Sequence, residues 1–395
     1  MKNFRASPGG CAQRTSCLRT DPAELRVVHV AHAWRGYEAG GVGRYATALV
    51  NAQVAAGVAA IGLGPDDLGP GSSGFRGSWE QPERALGLAA HVRRHRANIV
   101  HVHHFSQTGF GLVAAAQAAG AKVVVTLHDH QIGCARGQRV DRAGLPCVGP
   151  SAARCAACLR PDGLPGLLGM GRARARIDAV AGMRPDLWLS VAPHLAAALG
   201  VAAEPCDLPV LASSFGVAAS ERQAGPVRLL WVGALIPTKA PDLAIEAFRT
   251  LPAGAATLDI VGPAVQYDGS SRYLHGLRRR LCPGITLHPA GDTDPWYARS
   301  DALLFTSRWD EGCPMVLREA AAAGLPILAN DVPGARHALG AYPASWLQPT
   351  AQSWARGLAG CIAGLPRHPS AVFTTLPEHA AALVRRYRDL LAESR

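Results

Sequence analysis

Glu311 and Glu319, two acids with seven residues between them, sit in the most informative stretch of the chain, TSRWDEGCPMVLREAAAAGLPILANDVP at 306–333. Pro314 fits the first position of a helix, where its missing N–H costs nothing, and alanine-rich propensity carries that helix to Gly324. Buried strands are expected on either side, at 302–305 and 326–329, so the unit is one strand–helix–strand step. Ligands collect beyond the carboxyl ends of such strands. There the helix dipole and free N–H groups at Cys313, Met315 and Val316, just after Gly312, attract a phosphate. A carboxylate accepts hydrogen bonds from vicinal hydroxyls, so an anion site framed by two acids suits a ligand that carries phosphate and sugar together. The plainer reading makes Glu311 a partner for the dipole and Glu319 a solvated helix residue.

Lys239 raises a second charge question. It stands at the start of an expected helix, 243–251, in the loop GALIPTKAPD that begins with Gly233 after the strand 227–232. A cation there opposes the helix dipole unless an anion binds beside it. In the first half, the expected strand 26–31 is followed by glycines at 36, 40, 41 and 43 before a helix over 43–57. Gly41 and Gly43 fit the dinucleotide fingerprint G-x-G-x-x-A, but that motif should follow its strand at once and here comes about ten residues late, which argues against an oxidoreductase. Strands over 98–103 and 122–127 end in His101, His103 and His104 and in His128, Asp129 and His130, where an α/β sheet exposes its functional edge. Histidines at strand ends are also ordinary solvated residues, and their spacing gives no metal motif.

The elements that would position these groups alternate strand and helix along the chain, which predicts an α/β protein with parallel sheets. Further strands are expected at 59–63, 187–192 and 208–211, with helices at 82–96, 109–120, 164–183 and 193–199. The apolar front of the 164–183 helix suits core packing or a membrane surface. Residues 212–226 lack periodicity and read as a linker. A second alternation starts at 227 and closes with an amphipathic helix over 378–394. Asp292-Thr293-Asp294 precedes Pro295 and reads as a helix start capped by Asp294 rather than a metal pair, so no catalytic metal is expected.

At 395 residues the chain is long enough for two cores, and with 48% hydrophobic and 17% charged residues it is globular. No apolar run reaches the ~18 residues of a membrane span. The first twenty residues lack a signal peptide's apolar middle and read as a loose tail on a cytoplasmic protein, peripheral at most to the membrane's inner face. A net charge of +11 gathers in HVRRHR, RARAR, HGLRRR and RRYR. These runs suit solvated helix faces, or contact with anionic lipid or phosphorylated substrates, while nothing resembles a nucleic-acid-binding motif. Cys134, Cys147, Cys155 and Cys158 share an insert rich in glycine, proline and arginine. In a reducing compartment a C-x-x-C closing such a loop favours a structural zinc over disulfides, with free thiols and an iron–sulfur cluster as alternatives.

The run E-G-C-P-M-V-L-R-E-A-A-A-A-G-L-P-I-L-A, followed by P-G, resembles the E-x7-E signature of retaining family-4 glycosyltransferases. That resemblance implies the GT-B fold, two Rossmann-like domains facing across a cleft, with Glu311 on the donor hexose and Glu319 on the ribose hydroxyls. A-G-G-V-G-R-Y is similar to the family's glycine loop near the donor phosphate, which implies roles for Gly41 and Gly43. T-L-H-D resembles the segment whose histidine contacts the reacting sugar, here His128. V-G-A-L-I-P-T-K is similar to the family's V-G-R-L-x-x-x-K, whose Arg and Lys hold the diphosphate; Lys239 matches, and Ala234 stands where the family has arginine. A cysteine-bearing insert also occurs in a subset of the family. The implied catalytic groups are Lys239, Glu311 and His128. The implied donor is a nucleotide sugar, UDP- or GDP-linked, and no metal takes part in catalysis. The implied acceptor is a carbohydrate or a lipid-linked hydroxyl in cell-envelope polysaccharide, glycolipid or other glycoconjugate synthesis. The expected organisation is a tail at 1–24, an acceptor domain at 25–212 with the insert at 134–158, a donor domain at 213–375, and a helix at 376–395 crossing back. A sugar-nucleotide epimerase and a non-catalytic sugar-nucleotide binder are the rival readings.

Overall fold

The computed structural model describes residues 24–34, 40–71, 80–141, 144–159, 166–211, 225–265, 270–364 and 368–393. In chain order the first half runs β1 (Arg26–Val30), α1 (Gly40–Ala55), β2 (Ala59–Leu63), α2 (Pro82–His95), β3 (Ile99–Val102), α3 (Leu112–Ala118), β4 (Lys122–Leu127), α4 (Ala152–Cys158), α5 (Gly166–Ala181), β5 (Leu187–Ser190), α6 (Pro193–Leu199) and β6 (Glu204–Pro205). The second half runs β7 (Val227–Val232), α7 (Pro241–Phe248), β8 (Ala256–Val261), α8 (Ser270–Arg280), β9 (Ile285–His288), α9 (Asp294–Arg299), β10 (Ala302–Phe305), α10 (Met315–Ala322), β11 (Ile327–Asn330), α11 (Pro333–Leu339), β12 (Ser345–Leu347), α12 (Ala351–Ala363) and α13 (Leu376–Ala392).

Two six-stranded sheets result, in the orders β2-β1-β3-β4-β5-β6 and β12-β11-β10-β7-β8-β9. Every pairing between these strands is parallel. Parallel strands need helices on both faces, which is why β3, β10 and β11 are buried along their whole length. Alternation sorts the second sheet's side chains. Leu229, Trp231 and Leu304 enter a core under α7 and α12, while Leu230, Leu303 and Phe305 face a larger core that runs on into the first half. Helix α13 helps close that larger core: Leu383 and Tyr387 are buried in it, and the helix packs along α1. A full capping box starts it, Thr375 accepting from the Glu378 N–H and Glu378 accepting from the Thr375 N–H.

The structure shifts several expectations. Gly40 to Gly43 form the first turn of α1 rather than a loop, and Gly36 lies outside the described residues. Pro314 is the N-cap of α10, not its first residue, because its ψ of 110° is extended. Thr293, not Asp294, precedes α9, and Asp292 supplies the local bond by accepting from the Asp294 N–H at 3.1 Å. No strand forms at 208–211; two residues, Glu204–Pro205, complete the sheet instead. The cysteine insert is not structureless, since Ser151 caps α4 inside it. The linker expectation falls almost wholly outside the described residues. Arginines 93, 94, 174, 278, 279, 280, 385 and 388 are exposed, as solvated helix faces require, but Arg176 is buried, stacked on Phe110 and donating to the Gln131 carbonyl at 2.6 Å. No described helix is long and apolar enough to cross a membrane.

Candidate active site

The carboxyl ends of both sheets open into one cavity of about 310 Å³. From the first half it is lined by Gly41, Arg44 and Tyr45 at the start of α1 and by His128 and Asp129 after β4. From the second it is lined by Gly233, Ala234 and Lys239 after β7, and by Trp309 and the residues from Glu311 to Val316 after β10. Parallel strands all end on one side, so loops distant in sequence meet there.

The loop bearing Lys239 is fixed from below by Thr306, which is fully buried at the end of β10. Its hydroxyl accepts from Trp231 Nε1 at 2.8 Å and donates toward the carbonyls of Lys239 and Ala240, at 2.9 and 2.8 Å. Asn330 donates to the Thr306 carbonyl at 2.7 Å, so three neighbouring strand ends are tied to one another. Lys239 forms an ion pair with Glu311 Oε2, while Glu311 Oε1 is buried with no hydrogen-bond partner in the protein. An unpaired buried acceptor costs about 1–3 kcal/mol, which a ligand hydroxyl would recover. Gly312 lets this loop cross to the first half: a Cβ there would stand 2.2 Å from the His128 carbonyl oxygen. No side chain caps α10, and its first turn carries no acid, so the free N–H groups and positive dipole end face the cavity at Met315 and Val316.

His128 heads a chain of buried rings. Its Nε2 is 3.3 Å from His103 Nδ1, His103 Nε2 is 2.9 Å from His29 Nδ1, and His29 Nε2 is 2.8 Å from Gln53 Oε1. An amide oxygen only accepts, so His29 donates from Nε2 and each ring in turn donates to the next; His128 is left with an unprotonated Nδ1. Burial holds all three rings neutral, lowering His29 to about 4 and His128 to about 3 and putting His103 well below the usual histidine range. Asp129 is already engaged, accepting from His104 Nε2 at 3.3 Å and from the Gln131 N–H at 2.8 Å.

Glu319 is fully buried and does not itself line the cavity. Its Oε2 accepts from Tyr297 at 2.7 Å, and its Oε1 lies 3.5 Å from Arg44, which does line the cavity. Burial raises its pKa, with the Arg44 charge opposing that rise. Gly43 is buried inside α1 rather than exposed to the cavity. The cavity therefore brings together Lys239, Glu311, His128, Gly41, Gly233, Gly312, Cys313, Met315 and Val316, and sets Gly43 and Glu319 behind them.

Arg44 and Trp309 are among the lining residues that escaped sequence reasoning. Arg44 is a second cation in the cavity, three residues after Gly41 and so on the same helix face; the signal was available once Gly41 is placed in a helix. Trp309, with Lys239 Nζ 5.9 Å from its ring centroid, carried no spacing signal at all.

The four cysteines of the insert, Cys134, Cys147, Cys155 and Cys158, line a separate cavity of about 360 Å³ and form no disulfide. Among the described residues they do not form a group whose sulfurs all lie within 4.8 Å of one another. Sulfurs around a zinc ion, bound at about 2.3 Å, would be roughly 3.8 Å apart. The donor set suits zinc, then, but the thiols surround the cavity more widely than a bound ion requires.

Residues 226–363 match the sequence family "Glycosyl transferases group 1", and residues 39–157 match "Glycosyltransferase Family 4". No curated protein matches the sequence. Among solved structures, a sucrose-phosphate synthase from Thermosynechococcus elongatus superposes with a TM-score of 0.66 at 17% identity, over 94% of this chain and 100% of the other. Anabaena Alr3699/HepE in complex with UDP and glucose gives 0.61 at 14% identity, over 94% and 99%. WaaG, a glycosyltransferase involved in lipopolysaccharide biosynthesis, gives 0.58 at 16%, over 92% and 95%. With both halves matched in sequence and the two parallel sheets matched in structure, the chain belongs to the group 1, family 4 glycosyltransferases and has their GT-B fold.

Proposed function

We propose that the protein transfers a sugar, with retention of anomeric configuration, from a nucleotide diphosphate sugar to a hydroxyl acceptor. The observation that carries this reading is the paired chemistry of the 310 Å³ cavity: an uncapped helix start and two cations, Lys239 and Arg44, beside Glu311 with one oxygen unpaired. Phosphate suits the first group and sugar hydroxyls the second. In the reaction the bond between the anomeric carbon and the diphosphate oxygen breaks, the acceptor oxygen bonds to that carbon from the same face, and the acceptor's proton goes to the leaving diphosphate. Lys239, Arg44 and the N–H groups at Met315 and Val316 would stabilise the charge that develops there. Glu311 and His128, the latter accepting at Nδ1, would position the hexose, and Glu319 would meet the ribose if Arg44 turns from it toward the diphosphate. No step of this scheme needs a metal. UDP or GDP is the expected carrier, consistent with the UDP bound by the Anabaena structure. The acceptor is expected to be a carbohydrate or lipid-linked hydroxyl at the first half of the cleft, in envelope polysaccharide or glycoconjugate synthesis. The insert's four thiols, closing on one zinc ion, would serve as a structural anchor.

Thermal shift and calorimetry with UDP-, GDP-, ADP- and TDP-sugars test the donor site, and stabilisation by one nucleotide class is the expected result. No response to any of them would overturn the reading. Isomerisation of the donor without acceptor would point to an epimerase, and tight donor binding without hydrolysis or transfer to a binding protein.

A further inference from the structure

Behind Glu311, on the side of the loop facing the first half, three potential metal ligands meet. His130 follows β4, His194 is the second residue of α6, and Asp310 precedes Glu311 in the second half. One ligand atom from each lies within 4.8 Å of the other two. His194 Nε2 is 3.3 Å from Asp310 Oδ1, and His130 Nε2 is 3.9 Å from Asp310 Oδ2. Ligand atoms around a tetrahedral zinc, at bond lengths of about 2.0–2.2 Å, are roughly 3.3–3.6 Å apart, so small side-chain rotations would close this set. A second observation points to a missing partner. His130 is only 6% exposed, and its Nε2 is buried with no hydrogen-bond partner. A histidine serving only to fill space would be expected to place that nitrogen against a donor or acceptor within reach.

We infer that His130, His194 and Asp310 form a divalent transition-metal site that joins the two halves of the molecule beside the Glu311 loop. Two imidazoles and one carboxylate form a donor set favoured by zinc and cobalt, and Asp310, about one-third exposed, leaves a path for the ion and a water as fourth ligand. The site is separate from the four thiols and takes no part in sugar transfer. At present His194 Nε2 is 3.0 Å from the Glu311 carbonyl, to which it donates. Metal binding at Nε2 would need the Nδ1–H tautomer, so the proton would move to Nδ1, the bond to the Glu311 carbonyl would give way to the metal, and Asp310 would tie the backbone beside Glu311 to the ion. Asp310 Oδ1, the oxygen that faces His194, also accepts from the Gly334 N–H at 3.0 Å, which holds the carboxylate in place.

The test is titration of the chelator-treated full chain with Co2+ and Zn2+, without any sugar nucleotide, so that its outcome does not depend on the donor-binding reading. The cobalt spectrum separates the sites, because ions on the insert show thiolate charge-transfer bands and ions on His130, His194 and Asp310 do not. One equivalent of cobalt without thiolate bands is expected. Asp310→Asn, which keeps the oxygen facing Gly334, should weaken it at least about tenfold. His130→Phe should weaken it as much while leaving the metal-free melting temperature unchanged or higher, because a buried unpaired nitrogen is removed. Equal cobalt affinity in wild type and both variants, or cobalt bound only through thiolates, would overturn the inference.

Discussion

Arg44 has no role in the sequence reading, and the structure places it in the cavity beside Glu319. Ala234 leaves the expected diphosphate site one arginine short, and Arg44 brings a guanidinium into the same cavity from the other half of the molecule. If it compensates, Arg44→Ala should weaken donor binding by about 1.5–3 kcal/mol, the range for charged hydrogen bonds, and Ala234→Arg in that background should restore it. Lys239→Ala should act differently. Its contact would strengthen as charge develops on the leaving group, so turnover should fall on the order of 10²–10³ with a smaller change in donor affinity. Steady-state transfer kinetics with donor calorimetry on the four proteins measure both effects, and a Lys239→Ala enzyme with wild-type kcat would remove Lys239 from the mechanism. The sequence could locate Lys239 because a lysine at a helix start stands out against the dipole. Arg44 gave no such contrast, since arginine is ordinary in a helix and its importance depends on a fold that brings α1 to face β7 and β10. Glu319 was legible as a helix residue, but not its complete burial against Tyr297.

At the scale of elements, what the sequence made legible follows from the strength of local signals. Strands β2, β4, β7 and β10 and helix α6 match expectation to the residue, because each is a mainly apolar run with glycine, proline or a charge at one end at least. The failures arise where a local signal competed with tertiary demand. The run Leu208 to Leu211 is apolar enough for a strand, yet Pro209 removes a ladder donor, and an edge position needed only the two residues of β6. In the insert, alanine-rich AARCAAC has good helix propensity and forms α4, although its cysteine spacing carries no helical signal. That helix brings Cys155 and Cys158 to the cavity that Cys134 and Cys147 also line, and purified protein is expected to carry one zinc that draws these thiols together, lost with stability on strong chelation. Metal analysis finding neither zinc nor iron on this insert, with a melting temperature unmoved by chelator, would leave them as free thiols.

At the scale of the whole molecule, the division into two alternating halves could be read from length and from the restart of strand–helix alternation at residue 227, whereas the way the halves share one core could not. That core runs from β1 through α13 to the second sheet, and buried imidazoles lie against it. His29 and His101 are fully buried and His103 almost so, while His379, on α13, is hydrogen-bonded to Tyr45 at 2.7 Å. His101 Nδ1 is 2.5 Å from Tyr387 on the same helix, and its Nε2 is 2.7 Å from Thr126. Burial lowers His29 and His379 to about 4 and puts His101 and His103 well below the usual range, the neighbouring imidazoles lowering the last two further. The unfolded chain therefore binds more protons than the native one between its ordinary histidine pKa of 6.5 and the native values near 4. Stability from these groups is complete above pH 6.5 and is lost as pH falls through that window, in proportion to the protons the native core excludes. Each ring contributes about 1.4 kcal/mol of that loss one pH unit below 6.5, so four together approach the ~5–15 kcal/mol that holds an ordinary domain folded. Urea denaturation at pH 7.5, 6.5, 5.5 and 5.0 should show the midpoint falling steeply below 6.5, while ordinary carboxylates are still mostly ionised. In His29→Gln, whose amide can still bond to Gln53 and His103, the fall should be shallower. A midpoint constant from pH 7.5 to 5.0 in the wild type would mean that these histidines are charged or water-exposed in solution, and that α13 does not seal them.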